Sequence, residues 1–380
     1  MTTLGHRERT LRALNHEETD RVPIDLSNMH VAAYRGLVRH LHLEKMAVPL
    51  ESDSLRSHMA TPPEAVYQAL DVDVRHVGLG QPDLTPYKTL DEDSYLDDWG
   101  VVWSRAGKEH PFINKRGPFQ ETEPTLAQVE KLPWPNPRDP GRVKGLREKV
   151  LKLRRETDCA IVLGLPYCVL REGQRIRGFA EFMGDLLANP PVAQAIMERS
   201  LEVSIGIAEA GLEAVGDLVD VVMFPEDMGT QEQLFMRPEM YRRVLKPLHR
   251  RMVEAIKRKT KAKVLLHTDG AVHDIIGDFI EIGIEALNPI QVSAKGLGDT
   301  KKLKAEFGKQ LTFWGAIDTH RVLPFGTPED VSKEVKRRID DLAPGGGFVL
   351  MAVHTVMAEV PAANIAAMLD TARSYHPHQQ

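Results

Sequence analysis

From about residue 160 to its end, the chain alternates short apolar runs with longer amphipathic stretches, and this rhythm constrains the fold more than any other feature. The runs are 160–165, 219–224, 263–267, 286–290, 312–317 and 345–352. They are too short for buried helices and mostly lack the polar alternation of a strand with one wet face, which is the pattern of strands covered on both sides. The stretches at 178–214, 238–258, 275–282, 301–307 and 362–374 read as helices, and Pro247 is expected to kink or split the second of them. Another helix begins at Thr327-Pro-Glu-Asp330, an N-cap followed by an acidic first turn. Earlier in the chain, 6–18 and 31–46 read as helices, and Arg21–Leu26 and Val72–Val77 as strands. That makes about eight strands, most followed by a helix, and such an alternation predicts a parallel sheet. No Gly-x-Gly-x-x-Gly opens any helix, so a closed (β/α)8 TIM barrel is expected rather than an open dinucleotide-binding sheet. The expected organisation is one barrel domain over residues 1–380.

The rhythm breaks between 80 and 145, after the second strand. This stretch holds Trp99-Gly-Val-Val-Trp103 and the proline-rich return Leu132-Pro-Trp-Pro-Asn-Pro137. Repeated prolines exclude a central strand or helix interior, so an inserted hairpin or lid is expected. Trp99 and Trp103 either fix that insertion to the barrel or pack over its mouth.

Composition narrows the function. The net charge is −5, and acidic and basic residues are interleaved, which disfavours nucleic acid or a membrane surface as partner. The two cysteines, Cys159 and Cys168, are too few for a disulfide framework and fit a reducing cytosol. With no apolar leader and no run approaching the ~20 residues of a membrane helix, a cytoplasmic location is expected.

In a (β/α)8 barrel the chemistry gathers at the C-terminal ends of the strands. The polar residues there are Asp25, Asn28 and His30; Tyr167; Glu226 and Asp227; His267 and Asp269; Asn288 and Gln291; Asp318 and His320; and His354. His267 and Asp269 end one strand, His354 the last and Glu226 another. Two imidazoles and two carboxylates on one rim make a nitrogen–oxygen metal site, suited to Zn2+ or to non-haem Fe(II). Alternatively, the adjacent Glu226 and Asp227 supply a general acid, because two neighbouring carboxylates do not both ionise readily. Asp25, His30, Tyr167, Asn288, Gln291 and Asp318 are expected to contact the substrate.

At these residues the chain resembles the uroporphyrinogen decarboxylase superfamily, a (β/α)8 family that also holds cobalamin-dependent methyltransferases. The matching segments are Arg7–Glu18 with Asp20-Arg-Val-Pro23, Glu226-Asp-Met-Gly-Thr-Gln231, His267-Thr-Asp-Gly270, Phe313–Asp318, and Gly345-Gly-Gly-Phe348 through His354 to Asn364-Ile365. The decarboxylase branch carries an arginine-containing Gln-Ala-Gly-Arg segment after its first strand, and Leu26–Val31 here has no arginine. Its acidic residue after the second strand is also missing at Val77-Gly78. A substrate bearing many carboxylates needs matching cations, so porphyrinogen decarboxylation is disfavoured.

The methyltransferase branch binds zinc through His-x-Cys and a distant Cys. His267 matches the histidine, while Asp269 and His354 stand where the cysteines would be. The resemblance therefore implies a divalent-metal methyltransferase with His267, Asp269, His354 and Glu226 at the metal. The His/Asp/His set is a harder Lewis acid than a thiolate site and favours an oxygen ligand, such as a methoxy group. The chain has no corrinoid-binding Asp-x-His-x-x-Gly motif, so cobalamin would arrive on a partner protein. Related barrels are often homodimers. Two rivals are kept: a metal-free decarboxylase or lyase using His354 and Glu226 as acid and base, and a non-catalytic ligand-binding barrel.

Overall fold

A computed structural model describes residues 3–26, 28–47, 58–108 and 110–376. Its central element is a seven-stranded parallel sheet curled into a TIM-like (β/α)8 arrangement. In chain order the strands are β1 (Met29–His30), β2 (Met59–Ala60), β3 (Val74–Gly78), β4 (Lys88–Asp91), β5 (Ser94–Leu96), β6 (Val102–Ser104), β7 (Ile113–Arg116), β8 (Ala160–Gly164), β9 (Val221–Pro225), β10 (Lys263–His267), β11 (Ala286–Ile290), β12 (Thr312–Ile317) and β13 (Phe348–Ala352). The parallel sheet runs β13-β12-β11-β10-β9-β8-β3.

The expected first strand contracts to a single bridging residue, Ile24, which pairs parallel with Leu350 of β13. The Leu350 N–H reaches the Pro23 carbonyl (2.9 Å), and on the other side the Asp73 N–H reaches the Ile24 carbonyl (2.8 Å), so Ile24 closes the gap between β13 and β3. The segment stays short because Pro23 has no N–H and the Ile24 N–H is taken by the Asp73 carboxylate at 2.7 Å. Arg9 and Arg21 pair with that same fully buried carboxylate, each at 2.6 Å, and tie the N-terminal helix His6–Leu14 beneath the barrel.

Alternation along the strands sorts side chains. Val74, Val162, Val221, Leu265, Ala286, Trp314 and Val349 form one cluster with Leu14, filling the barrel interior. Residues of the opposite parity, such as Ile161, Val222, Phe224, Val264, Leu266 and Leu287, belong to the larger core between sheet and helices. Pro247 splits the expected 238–258 helix into Pro238–Val244 and Lys246–Lys259. The expected 178–214 helix is likewise two, Phe179–Ala188 and Pro190–Val215, with Pro190 opening the second. Thr327 caps Pro328–Leu342 through a reciprocal capping box with Asp330.

The insertion is a four-stranded antiparallel sheet, β4-β5-β6-β7, more than the expected hairpin. Trp99 is buried against Trp134 (ring centroids 6.1 Å apart) and Tyr167 (5.0 Å). Its indole fixes the insertion to the loop after β8, which is the adhesive role. No helix among the described residues is long and apolar enough to cross a membrane.

Candidate functional site

Two backbone corners shape the rim. Gly270 has φ +102°, and a Cβ there would meet the backbone carbon and oxygen of Gly229 at 2.4 Å. The Glu226–Gln231 and His267–Gly270 segments therefore touch backbone to backbone, and only glycine permits that approach. The corner is then pinned by side chains: the Asp269 N–H donates to Asp227 (3.1 Å), and the Gly270 N–H donates to Gln291 (2.7 Å).

His267 projects inward from the end of β10, having the parity of the interior residue Leu265. Its Nδ1 lies 2.6 Å from Oδ1 of Asn288, itself inward-facing on β11. The Asn288 amide nitrogen donates to the Trp314 carbonyl at 3.3 Å, which fixes the amide orientation. A carbonyl oxygen only accepts, so His267 carries its proton on Nδ1 and turns the Nε2 lone pair into the pocket. Asp269 has the parity of His267, and its Oδ2 lies 3.9 Å from His267 Nε2 and 3.4 Å from His354 Nε2. The three ligand atoms lie within 4.8 Å of one another. Burial raises the Asp269 carboxyl above the ordinary range, although His267 and His354 pull the other way.

The remaining expected site residues do other things. Glu226 does not join this group. One past β9, it has the outward parity of Phe224, and its carboxylate accepts the N–H groups of Val169 (2.7 Å), Leu170 (3.0 Å) and Arg171 (2.9 Å). It thereby holds the start of the helix Leu170–Arg177, with His249 3.4 Å away and Cys168 beside it, all buried. Burial alone would raise its pKa, but His249 and the three N–H donors hold it at about 2. A general acid with a raised pKa is thus not what Glu226 provides. Asp318 accepts the N–H groups of His320 (2.7 Å) and Arg321 (3.1 Å), ordering its own loop. His30 caps the helix Val31–His40 through Ala32 N–H (3.1 Å) and stacks on His58. Tyr167 packs on Trp99. Gln291, Asp269 and His354 line a cavity of about 600 Å³ at the C-terminal mouth, together with Gln231, His320 and Phe325.

Asp25 is buried but not in contact with that group. Its carboxylate accepts His76 Nε2 (2.9 Å) and Trp314 Nε1 (2.9 Å). His76 was not among the expected residues. The alternation Val74-Arg-His-Val-Gly78 carries the signal, since it places 74, 76 and 78 on one face. The histidine lies within the strand rather than at its end, which is why a search of strand ends passes over it.

The fold and the rim define a TIM-like (β/α)8 barrel protein with a His/Asp/His cluster at the C-terminal ends of its strands. Residues 94–375 match the uroporphyrinogen decarboxylase (URO-D) family, and the chain belongs to that family. No curated protein sequence matches the chain. Among solved structures it is similar to a methyltransferase from Methanosarcina mazei, with 19% identity, 97% of this chain and 98% of that one covered, and a TM-score of 0.70. It is also similar to the β-glycosidase of Thermosphaera aggregans (12% identity, 93% and 96% covered, TM-score 0.43). A third is a B12-independent methionine synthase from a Shewanella species (12%, 60% and 66%, TM-score 0.37). At 19% identity the likeness to the methyltransferase is one of fold.

Proposed function

We propose that this protein is a methyltransferase that moves a methyl group from a small methoxylated or methylated substrate to a corrinoid carried by a separate protein. In this reading His267, Asp269 and His354 hold zinc or another divalent metal. The observation that carries it is the convergence of these three side chains, with Oδ1 of Asp269 buried and without a hydrogen-bond partner among the described residues. An orphaned buried carboxylate oxygen beside two imidazoles is costly unless a cation meets it. Asn288 supports the same fit by fixing His267 in the tautomer that presents Nε2.

A bound divalent ion would supply a Lewis acid toward the oxygen that loses its methyl group. The chain's own contributions are positional. Asn288 orients His267, while Asp227 and Gln291 hold the backbone that carries Asp269. Met223 and Met351, inward-facing on β9 and β13, give the interior an apolar lining that limits water around the reacting group.

The family also contains decarboxylases, and a decarboxylase or lyase is the second reading. The described residues lining the 600 Å³ mouth include no lysine or arginine, so the cavity is poorly matched to a substrate with many carboxylates. Two measurements test the proposal. Elemental analysis of purified protein should find near-stoichiometric divalent metal, lost in His267→Ala. Free cob(I)alamin, offered with a panel of methoxyarenes, methylamines and methyl thioethers, should become methylcobalamin, read from its visible spectrum. Full metal occupancy in His267→Ala would overturn the site, and no methylcobalamin from any donor would overturn the reaction.

A further inference from the structure

The barrel holds a second ionisable group facing inward, and the reading above leaves it unused. His76 lies two residues beyond Val74 on β3, as His267 lies two beyond Leu265 on β10 and Asn288 two beyond Ala286 on β11. Val74, Leu265 and Ala286 pack in one interior cluster, so His76, His267 and Asn288 each face inward two residues further toward the C-terminal mouth. Space is open there. The His76 side chain is 38% exposed although it sits inside the sheet. Around it, a Cβ on Gly78 would meet nothing within 4 Å, and one on Gly164 nothing nearer than 3.7 Å.

The imidazole is oriented from behind. Nε2 is 2.9 Å from one oxygen of Asp25 and 3.0 Å from the other. Asp25 is only 1% exposed, and Trp314 Nε1, at 2.9 Å, fixes the carboxylate in turn. A carboxylate accepts, so Nε2 carries a proton and Nδ1 is the ring nitrogen left to a ligand on the exposed part of the side chain. A buried acid that orients an imidazole, which then offers its other nitrogen to open space, is an arrangement suited to proton transfer. A core histidine satisfied at both nitrogens would not leave Nδ1 without a partner among the described residues. Burial works against the imidazolium, but Asp25 outweighs it and raises the His76 pKa, with Arg75 on the same strand opposing. The donor form therefore persists to higher pH than in an ordinary histidine.

We infer that His76, positioned by Asp25, is the general acid that protonates the leaving oxygen when a methyl ether is cleaved in this barrel. The inference rests on the methyltransferase reading. In the step, the methyl–oxygen bond breaks and its electron pair stays on oxygen. The electron pair for the new bond to the methyl carbon would come from a Co(I) corrinoid on the partner protein. The proton on Nδ1 of His76 ends on the leaving oxygen, and the neutral imidazole is reprotonated from water in the open cavity. Asp25 acts as a positioning residue throughout.

The test compares wild type, His76→Gln and Asp25→Asn with cob(I)alamin and two donors, anisole and 4-nitroanisole. Protonation matters for the phenoxide of anisole and much less for nitrophenoxide, which leaves unaided. His76→Gln is expected to lower kcat about a hundredfold with anisole, to change it only a few-fold with 4-nitroanisole, and to keep its bound metal. Asp25→Asn is expected to move the high-pH limb of the anisole rate to lower pH, and the NMR titration midpoint of the His76 imidazole with it. Equal losses on both donors, or no loss on either, would overturn the inference while leaving methyl transfer standing. An unchanged His76 midpoint in Asp25→Asn would also overturn it. Wild-type protein that demethylates neither ether would overturn the underlying ether-cleavage reading, and the titration would still decide whether Asp25 controls His76.

Discussion

Replacing Glu226 separates a helix-holding role from a metal-ligand role. Its carboxylate receives three backbone N–H groups at 2.7–3.0 Å inside the protein, with no exposed surface. Glu226→Ala would leave those donors buried and unpaired, at about 1–3 kcal/mol each. A loss of about 4–6 kcal/mol is a large part of the roughly 5–15 kcal/mol that holds a domain together. Glu226→Gln keeps one acceptor oxygen, enough for the Val169 and Leu170 N–H groups, removes the charge, and turns an amide nitrogen toward the Arg171 N–H. The carboxyl's ordinary value is 4.5, and it is held at about 2 in the fold, so the charge contributes about 3 kcal/mol. A depressed carboxyl stabilises the fold above its unfolded pKa and loses that contribution as pH falls through its folded one. The stability gap between wild type and Glu226→Gln should therefore be full near pH 7 and shrink between about pH 4.5 and 2. Urea unfolding at pH 7 and pH 3, with metal content measured at pH 7, reads both quantities. The expected result is a destabilised Gln variant that retains its metal. A variant as stable as wild type and depleted of metal would refute the argument and make Glu226 a ligand.

Three further outcomes follow from the geometry. Asn288→Ala releases Nδ1 of His267 and should weaken metal binding about 10–100-fold, measured by competition with a chelating dye, without unfolding the barrel. Gly270→Ala forces a Cβ to within 2.4 Å of the Gly229 backbone at a φ of +102°, and should cost about 2–4 kcal/mol in denaturant unfolding. Asp73→Ala strands Arg9 and Arg21 without their buried partner. It should destabilise the fold by about 3–5 kcal/mol in the same assay, and thermal melting of an Asp73→Ala protein at the wild-type temperature would contradict it.

Strand parity explains why some residues met expectation and others did not. His267 and Asp269 share the parity of Leu265, and Asn288 that of Ala286, so all three face inward. Glu226 follows Phe224 in parity and faces the helices, where it meets His249 and the Leu170–Arg177 N-terminus. Treating every polar residue near a strand end as a rim residue merges these two faces. His354 lies beyond β13, where parity no longer applies. Its position is set by the following turn, which the Val356 N–H clips to the Asn28 carbonyl at 2.8 Å.

The sequence by itself determined the parallel α/β alternation, the insertion after the second strand, and the presence of a His-x-Asp-Gly corner with a distant histidine. These are periodic or local properties, legible because a buried strand must be apolar and a tight corner must have glycine. The tertiary structure alone decided which polar groups meet. The Asp25–His76 pair is separated by about fifty residues of chain, and the contact exists because the short segment at Ile24 closes the barrel beside β3. The approach of His354 to Asp269 spans still more of the chain. Closure of the sheet makes both contacts: it brings the two ends of a long alternation together around one interior, and no local pattern records which side chains will then face each other.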